Sequence, residues 1–220
     1  VATISRLPIP PLITGPIGKS APSRIGHTTG ITAKASVASD FSTLAGFTVI
    51  AKEPTISSGI LSGEGVIRHT DQMFSDDFLV TATIGALDTG TTRIVTCGSD
   101  NFSSFYGIQI NRLPDQIHII KGSGTTALLD QGIFFSAISR FATVTTSFSV
   151  GNTVGVRFDK AASTVRAYRN GAQVSSLPVP RWEIPHGDGF RYWGVAQGVD
   201  IFLGVLFTGP RFTSITAADT

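Results

Sequence analysis

The sequence has a single cysteine, Cys97, and only three glutamates, Glu53, Glu64 and Glu183, in 220 residues. One thiol permits no intrachain disulfide and no zinc-finger-type site, and its context RIVTCGSD reads as a buried strand thiol. A chain that needs no disulfides fits assembly in a reducing cytosol. Charge is scarce too: 15% of residues are charged, 17 basic against 15 acidic, and neither sign forms a run. That balance leaves no electrostatic footprint for nucleic acid or an anionic membrane surface. No apolar stretch reaches the length of about 18 residues that a spanning helix needs, and no charged start precedes an apolar block. Neither a membrane span nor a signal peptide is expected.

The shortage of acidic residues also bears on catalysis. Glycoside cleavage needs two carboxyl groups about 5 to 10 Å apart, and the three glutamates are isolated from one another. Asp76 and Asp77 form the densest acidic site, but neighbours on a strand face opposite sides, so the pair reads as strand initiation and solvent contact. There is no G-x-S-x-G or H-E-x-x-H motif, and His27, His69, His118 and His186 are scattered. No catalytic residue and no metal ligand is assigned, and the chain is expected not to be an enzyme. His69 near Asp71 and His186 near Asp188 supply too few ligands for a transition metal. No cofactor is expected, with calcium held by loops 69–77 and 98–104 as the one ion to look for.

What is abundant is turn and strand material: 24 Gly, 11 Pro and many Ser and Thr. Residues 1–36 combine Pro and Gly with isolated apolar residues such as Ile4, Leu7 and Ile9, which predicts an extended arm that packs along its own domain or a neighbouring subunit. From residue 37 strand signals recur about every ten residues: 47–52, 65–70, 77–87, 91–99, 105–112, 116–122, 141–149, 152–159, 190–198, 201–207 and 211–216. Phe78, Val80, Ala82 and Ile84 alternate with Leu79, Thr81 and Thr83, and Val154, Val156 and Phe158 form a second inward set. Pro114 in LPDQ suits the second position of a type I turn. Asn170-Gly171 between two alternating runs predicts a hairpin with a two-residue type I′ turn. Simple pairing from that turn sets Ala167 against Val174, with Val165, Ala167, Ala172 and Val174 on an apolar face and Arg166, Tyr168, Gln173 and Ser175 on a polar one. About a dozen strands without a convincing helix make one antiparallel β-sandwich over residues 37–220.

The run VGNTVGVRFDKAASTVRAYRNGAQVSSLP resembles the central meander of concanavalin A-like, laminin G-like jelly rolls, with Val165, Tyr168, Asn170 and Gly171 in their V-x-x-Y-x-N-G pattern. FRYWGVAQG and the closing RFTSITAADT, with the lead SDFSTLAGFTVI, are similar to such domains in minor tail proteins of actinobacterial phages. The resemblance spans residues 40–220 and implies an all-β, antiparallel jelly-roll β-sandwich (concanavalin A-like) with an extended N-terminal arm. It further implies a structural virion protein of a tailed bacteriophage, assembled in the host cytoplasm, a minor tail or fibre component with an adhesive surface. The arm would bind other virion proteins, the sandwich a host cell-surface glycan, and subunits would associate, with trimers as one form. A capsid decoration or head-fibre protein, a glycan-active enzyme and a non-viral lectin are the alternatives. Enzymes on this fold carry a Glu-x-Asp-x-x-Glu cluster on one strand, and the sequence has none.

Sugar sites pair an aromatic platform with planar hydrogen-bonding groups. PRWEIPHGDGFRYWG, residues 180–194, concentrates both and holds both tryptophans. Trp193 is expected in a core, and Trp182, Arg181, Tyr168 and Arg166 are the candidate ligand-binding residues.

Overall fold

Asn170 and Gly171 both take positive φ, 50° and 77°, as the type I′ turn requires. A computed structural model describes residues 35–123, 138–202 and 205–220, without the side chains of Arg181, 199–202 and 205–208. The predicted arm, apart from its last two residues, lies outside the described residues. The strands run β1 (Ser36–Ser39), β2 (Phe47–Ala51), β3 (Thr55–Ser57), β4 (Ile60–Ser62), β5 (Gly65–His69) and β6 (Phe78–Ala86). They continue as β7 (Thr91–Gly98), β8 (Phe105–Asn111), β9 (Gln116–Gly122), β10 (Ile138–Thr145), β11 (Thr153–Asp159) and β12 (Thr164–Arg169). The chain closes with β13 (Ala172–Pro178), β14 (Tyr192–Gln197), β15 (Val199–Phe202), β16 (Val205–Thr208) and β17 (Arg211–Asp219).

Two antiparallel sheets carry the fold, one in the order β1-β17-β6-β11-β12-β13 and one in the order β10-β9-β8-β7-β14-β5-β2. Between them lies the main core. Phe78, Val80, Ala82, Ile84, Val154, Val156 and Phe158 face inward from one sheet, as their alternation predicts, against Ile67, Ile94, Ile108, Ile119, Trp193 and Val195 from the other. Burial of apolar side chains drives this layering. A second apolar cluster, Val66, Val95, Phe102, Phe105, Ile120, Ile138, Tyr192 and Ala196, covers the other face of the seven-stranded sheet. Gly98 and Gly122 make that packing feasible, because a Cβ at either would run into the rings of Phe102 and Phe105.

The structure corrects several local expectations. A register shift between Ala167 and Tyr168 sets Ser175, not Val174, against Ala167, and Leu177 against Val165. β13 is a sheet edge, where a bulge costs little, so Ala172 is left exposed and Val174 only half-buried. The Leu113–Pro114 bond is cis, which a type I turn does not contain. The apolar run 201–207 belongs to two strands, β15 and β16, that pair with each other. β1, β3 and β4, three or four residues each, were too short for alternation to reveal.

Replacing Gly171 with alanine is expected to cost about 1 kcal/mol, because a Cβ is strained at φ 77° although open space surrounds it. A urea midpoint shift with unchanged slope checks this.

Candidate functional site

The loops that join the sheets at one end are held by a single buried carboxylate. Asp76 Oδ1 accepts from Arg191 Nε and from the Gly187 backbone N–H, each at 2.8 Å, and Asp76 Oδ2 accepts from Lys160 Nζ at 2.8 Å. Arg191 also donates from Nη1 to the Phe74 carbonyl at 2.8 Å and to Asp188 at 3.1 Å, while Gly189 N–H donates to Gln72 at 2.7 Å. Segments 70–77 and 185–191 are thereby tied to each other and to the β11–β12 turn. Burial alone would raise the Asp76 pKa, but Arg191, Lys160 and the Gly187 N–H outweigh it and hold the carboxyl well below the usual range. Asp76 and Asp77 precede β6 rather than sit on it, and Asp77 pairs with a different cation, Arg157 Nε at 2.8 Å. The solvent contact expected of Asp76 is wrong: the residue is 7% exposed, because cations far away in sequence converge on it.

This braced end displays aromatic side chains. Trp182 sits on a 3-10 turn, Arg181–Glu183, between two residues buried in the main core, Val179 and Ile184. Glu183 on the same turn pairs with Lys121 of β9 at 3.0 Å. Anchored on both sides, the turn pushes Trp182 outward until it is 84% exposed. Phe74, on the segment tied to Arg191, is 67% exposed, and Phe190 is 37% exposed. His186 and Asp188 lie on the same loop, His186 Nδ1 within 2.8 Å of the Ile184 carbonyl. Exposed rings beside charged and polar groups can take a ligand with one apolar face and a polar rim.

Trp193, by contrast, is fully buried, stacked on His69 at 4.9 Å and edge-on to Phe47 at 5.9 Å, which meets the expectation of a core tryptophan. Arg166 and Tyr168 alternate with the buried Val165 and Ala167, so they share the outer face of the six-stranded sheet. Arg166 pairs there with Asp159 at 2.8 Å. Among the described residues no hydrogen bond or ring contact joins Trp182 to either of them, and the side chain of Arg181 lies outside the description.

A polar row across the seven-stranded sheet escaped the sequence reading except for His118. Arg93 Nε donates to Gln109 Oε1 at 3.0 Å, and Gln109 Nε2 donates to Asn111 Oδ1 at 2.8 Å. Asn111 Nδ2 lies 3.1 Å from His118 Nε2, and His118 Nδ1 lies 2.8 Å from Thr143 Oγ1. Since Asn111 Oδ1 already accepts, its amide N–H faces the ring, so Nε2 accepts and Nδ1–H donates to Thr143. Burial first, then Arg140, lowers the His118 pKa and favours this neutral ring. The signal was present in GIQIN and QIHII, where polar residues alternate with isoleucine.

Catalytic groups are sparse here. None of the seven strands of that sheet carries an Asp or Glu. Glu64 pairs with Lys52 at 2.6 Å, and in loop 69–77 the carboxylates of Asp76 and Asp77 are engaged by Arg191, Lys160 and Arg157. In 98–104 the Asn101 side chain accepts from the Ser103 backbone N–H and Ser99 Oγ. No group of three His, Cys, Asp or Glu placed for a metal occurs among the described residues. Burial pushes the Cys97 thiol up to about 12, so a thiol reagent at pH 8 is expected to react only as fast as the protein unfolds.

No family model matches the chain, and no curated protein matches it in sequence. Solved structures match it in shape. A Crh5 transglycosylase in complex with NAG aligns with TM-score 0.54 and 14% identity, covering 86% of this chain and 86% of its own. A native glycosidic hydrolase aligns with TM-score 0.52 and 11% identity over 86% and 97%. Peanut lectin with a nine-residue peptide aligns with TM-score 0.50 and 14% identity over 83% and 95%. Likeness at such identities establishes the fold: a concanavalin A-like jelly-roll β-sandwich, as the resemblance of residues 150–178 implied.

Proposed function

We propose that this chain is a non-catalytic adhesive module that binds a glycan at its braced loop end. The observation that carries the proposal is Trp182, held outward on an anchored turn at the same end of the sandwich as Phe74 and Phe190. An exposed indole costs stability-neutral surface at best, whereas stacked on a pyranose face it contributes binding free energy. Bracing by Asp76 lowers the ordering cost of binding. Names of the matching structures, a transglycosylase with NAG, a glycosidic hydrolase and a lectin, concern carbohydrate and support this ligand class. Absence of carboxylates from the seven strands supports binding without turnover.

Within this proposal the finer placement is the virion of a tailed bacteriophage, as a minor tail or fibre component whose arm, residues 1–36, grips other virion proteins. It rests on the resemblance of residues 39–50, 190–198 and 211–220. Immunogold labelling of purified particles decides it: label at the tail supports the placement, and unlabelled particles overturn it. For the glycan itself, the protein is incubated with insoluble cell-wall polysaccharide. Co-sedimentation without release of reducing sugar is expected, while failure to sediment, or sugar release, contradicts the proposal.

A further inference from the structure

The two sheets meet unequally at their sides. β10 and β13 approach each other and close one seam, whereas on the opposite side, among the described residues, loop 40–46 links the edge strands β1 and β2 and β4 packs against β17. That loop is pinned by Phe41, fully buried in the main core and 5.9 Å from the Phe47 ring. Beside it lies an open groove of about 470 Å³, lined among others by Ser39, Asp40, Thr43, Phe47, Ser214 and Thr216. Its volume lies in the range of small-ligand sites.

We infer that this groove is a second ligand site, for an uncharged pyranose, separate from the loop end around Trp182. Its lining combines the rings of Phe47 and His69 with hydroxyl groups whose hydrogen-bonding capacity is half used. Ser39 Oγ accepts the Phe41 N–H at 3.2 Å and Thr43 Oγ1 accepts the Ala45 N–H at 3.1 Å, so both hydroxyl protons remain to be donated. Ser214 Oγ donates to Thr83 Oγ1 at 3.0 Å and keeps its lone pairs for a donor. Asp40 Oδ1 takes the Ser42 N–H at 2.9 Å, and the exposed carboxylate adds a charged acceptor at the rim. Alternating hydroxyl donors and acceptors are what a ring bearing several hydroxyls satisfies, each of them being both. Phe47 supplies the apolar surface that its C–H face prefers. No Lys or Arg lines the groove, its one imidazole, His69, is buried and stacked on Trp193, and Asp40 is anionic, so sialic acids, sulfated sugars and phosphates are disfavoured. The inference uses none of the loop-end residues and stands or falls apart from the glycan proposed there.

The experiment titrates the isotope-labelled full chain with methyl glycosides of glucose, galactose and mannose, and with sialic acid, following backbone amides by NMR. At least one methyl glycoside is expected to shift residues 39–43, Phe47 and 214–216 saturably in the millimolar range, and sialic acid is not. Thr216 is exposed, so Thr216→Trp fills the groove without entering the core and is expected to abolish those shifts. Asp40→Ala, on the exposed loop, weakens them about tenfold. Trp182→Ala leaves them intact. Shifts absent with every neutral glycoside, or surviving Thr216→Trp, overturn the inference. Shifts lost in Trp182→Ala instead assign the binding to the loop end and overturn it as well.

Discussion

Asp76→Ala lowers the free energy of unfolding by about 3 kcal/mol, a fall in thermal midpoint of about 6 to 12 °C. The side chain is 6% exposed and accepts from two cations and a backbone N–H, so its removal strands three donors at once. The effect sits at the low end for a broken buried pair because Lys160 is 57% exposed and can turn to water. Arg191 keeps the Phe74 carbonyl and Asp188. Hydrogen exchange is expected to accelerate in residues 70–77 and 185–191 more than in the sheets. Asp76→Asn, which keeps the shape without the charge, recovers part of the loss. The pH dependence has a fixed sign. The folded-state pKa of Asp76 is depressed, so its stabilisation is complete above the unfolded carboxylate range near about pH 4 and fades as pH falls through and below it. In Asp76→Ala that acid-induced component is smaller. An unchanged midpoint, or exchange that rises only in the sheets, contradicts the bracing role.

Trp182→Ala is expected to weaken binding to cell-wall glycan at least about thirtyfold, since a central aromatic contact carries 2 kcal/mol or more. Its thermal midpoint stays within about 2 °C of the parent, because the ring is 84% exposed and supports no core. Paired measurement of affinity and midpoint separates this outcome from unfolding: lost affinity with an intact midpoint supports a ligand platform. Retained affinity removes Trp182 from the site. Arg166→Ala and Tyr168→Ala, on the outer sheet face, serve as comparators, and they are expected to bind as the parent does.

Alternation was enough to assign the inward faces of β6 and β11, because each is paired on both sides and buries one face only, the register shifts of β6 against β17 falling near its last residues. It failed at β13, where a bulge at the sheet edge moves Val174 out of register, and at the short strands β1, β3 and β4. The seven-stranded sheet was harder to read for a different reason. β7 is buried along its whole length, with the main core on one side and the second apolar cluster and polar row on the other. Of the loop end, Trp182 and its neighbours stood out by composition. The bracing role of Asp76 did not, because its partners Lys160, Gly187 and Arg191 lie 84 to 115 residues away and the fold brings them together. Arg166 and Tyr168 were grouped with Trp182 by residue type, and they lie on the outer face of the six-stranded sheet.

The two tryptophans offer the most direct test of glycan binding at the loop end. Trp193 is enclosed beneath His69 and Phe47 while Trp182 stands in solvent, so their indole N–H signals report two separate places. Titrating the labelled protein with a soluble cell-wall oligosaccharide is expected to shift the Trp182 signal saturably, leave Trp193 in place and return the oligosaccharide intact. A Trp182 signal that stays still while the sugar binds, or an oligosaccharide that is cleaved, would contradict the account.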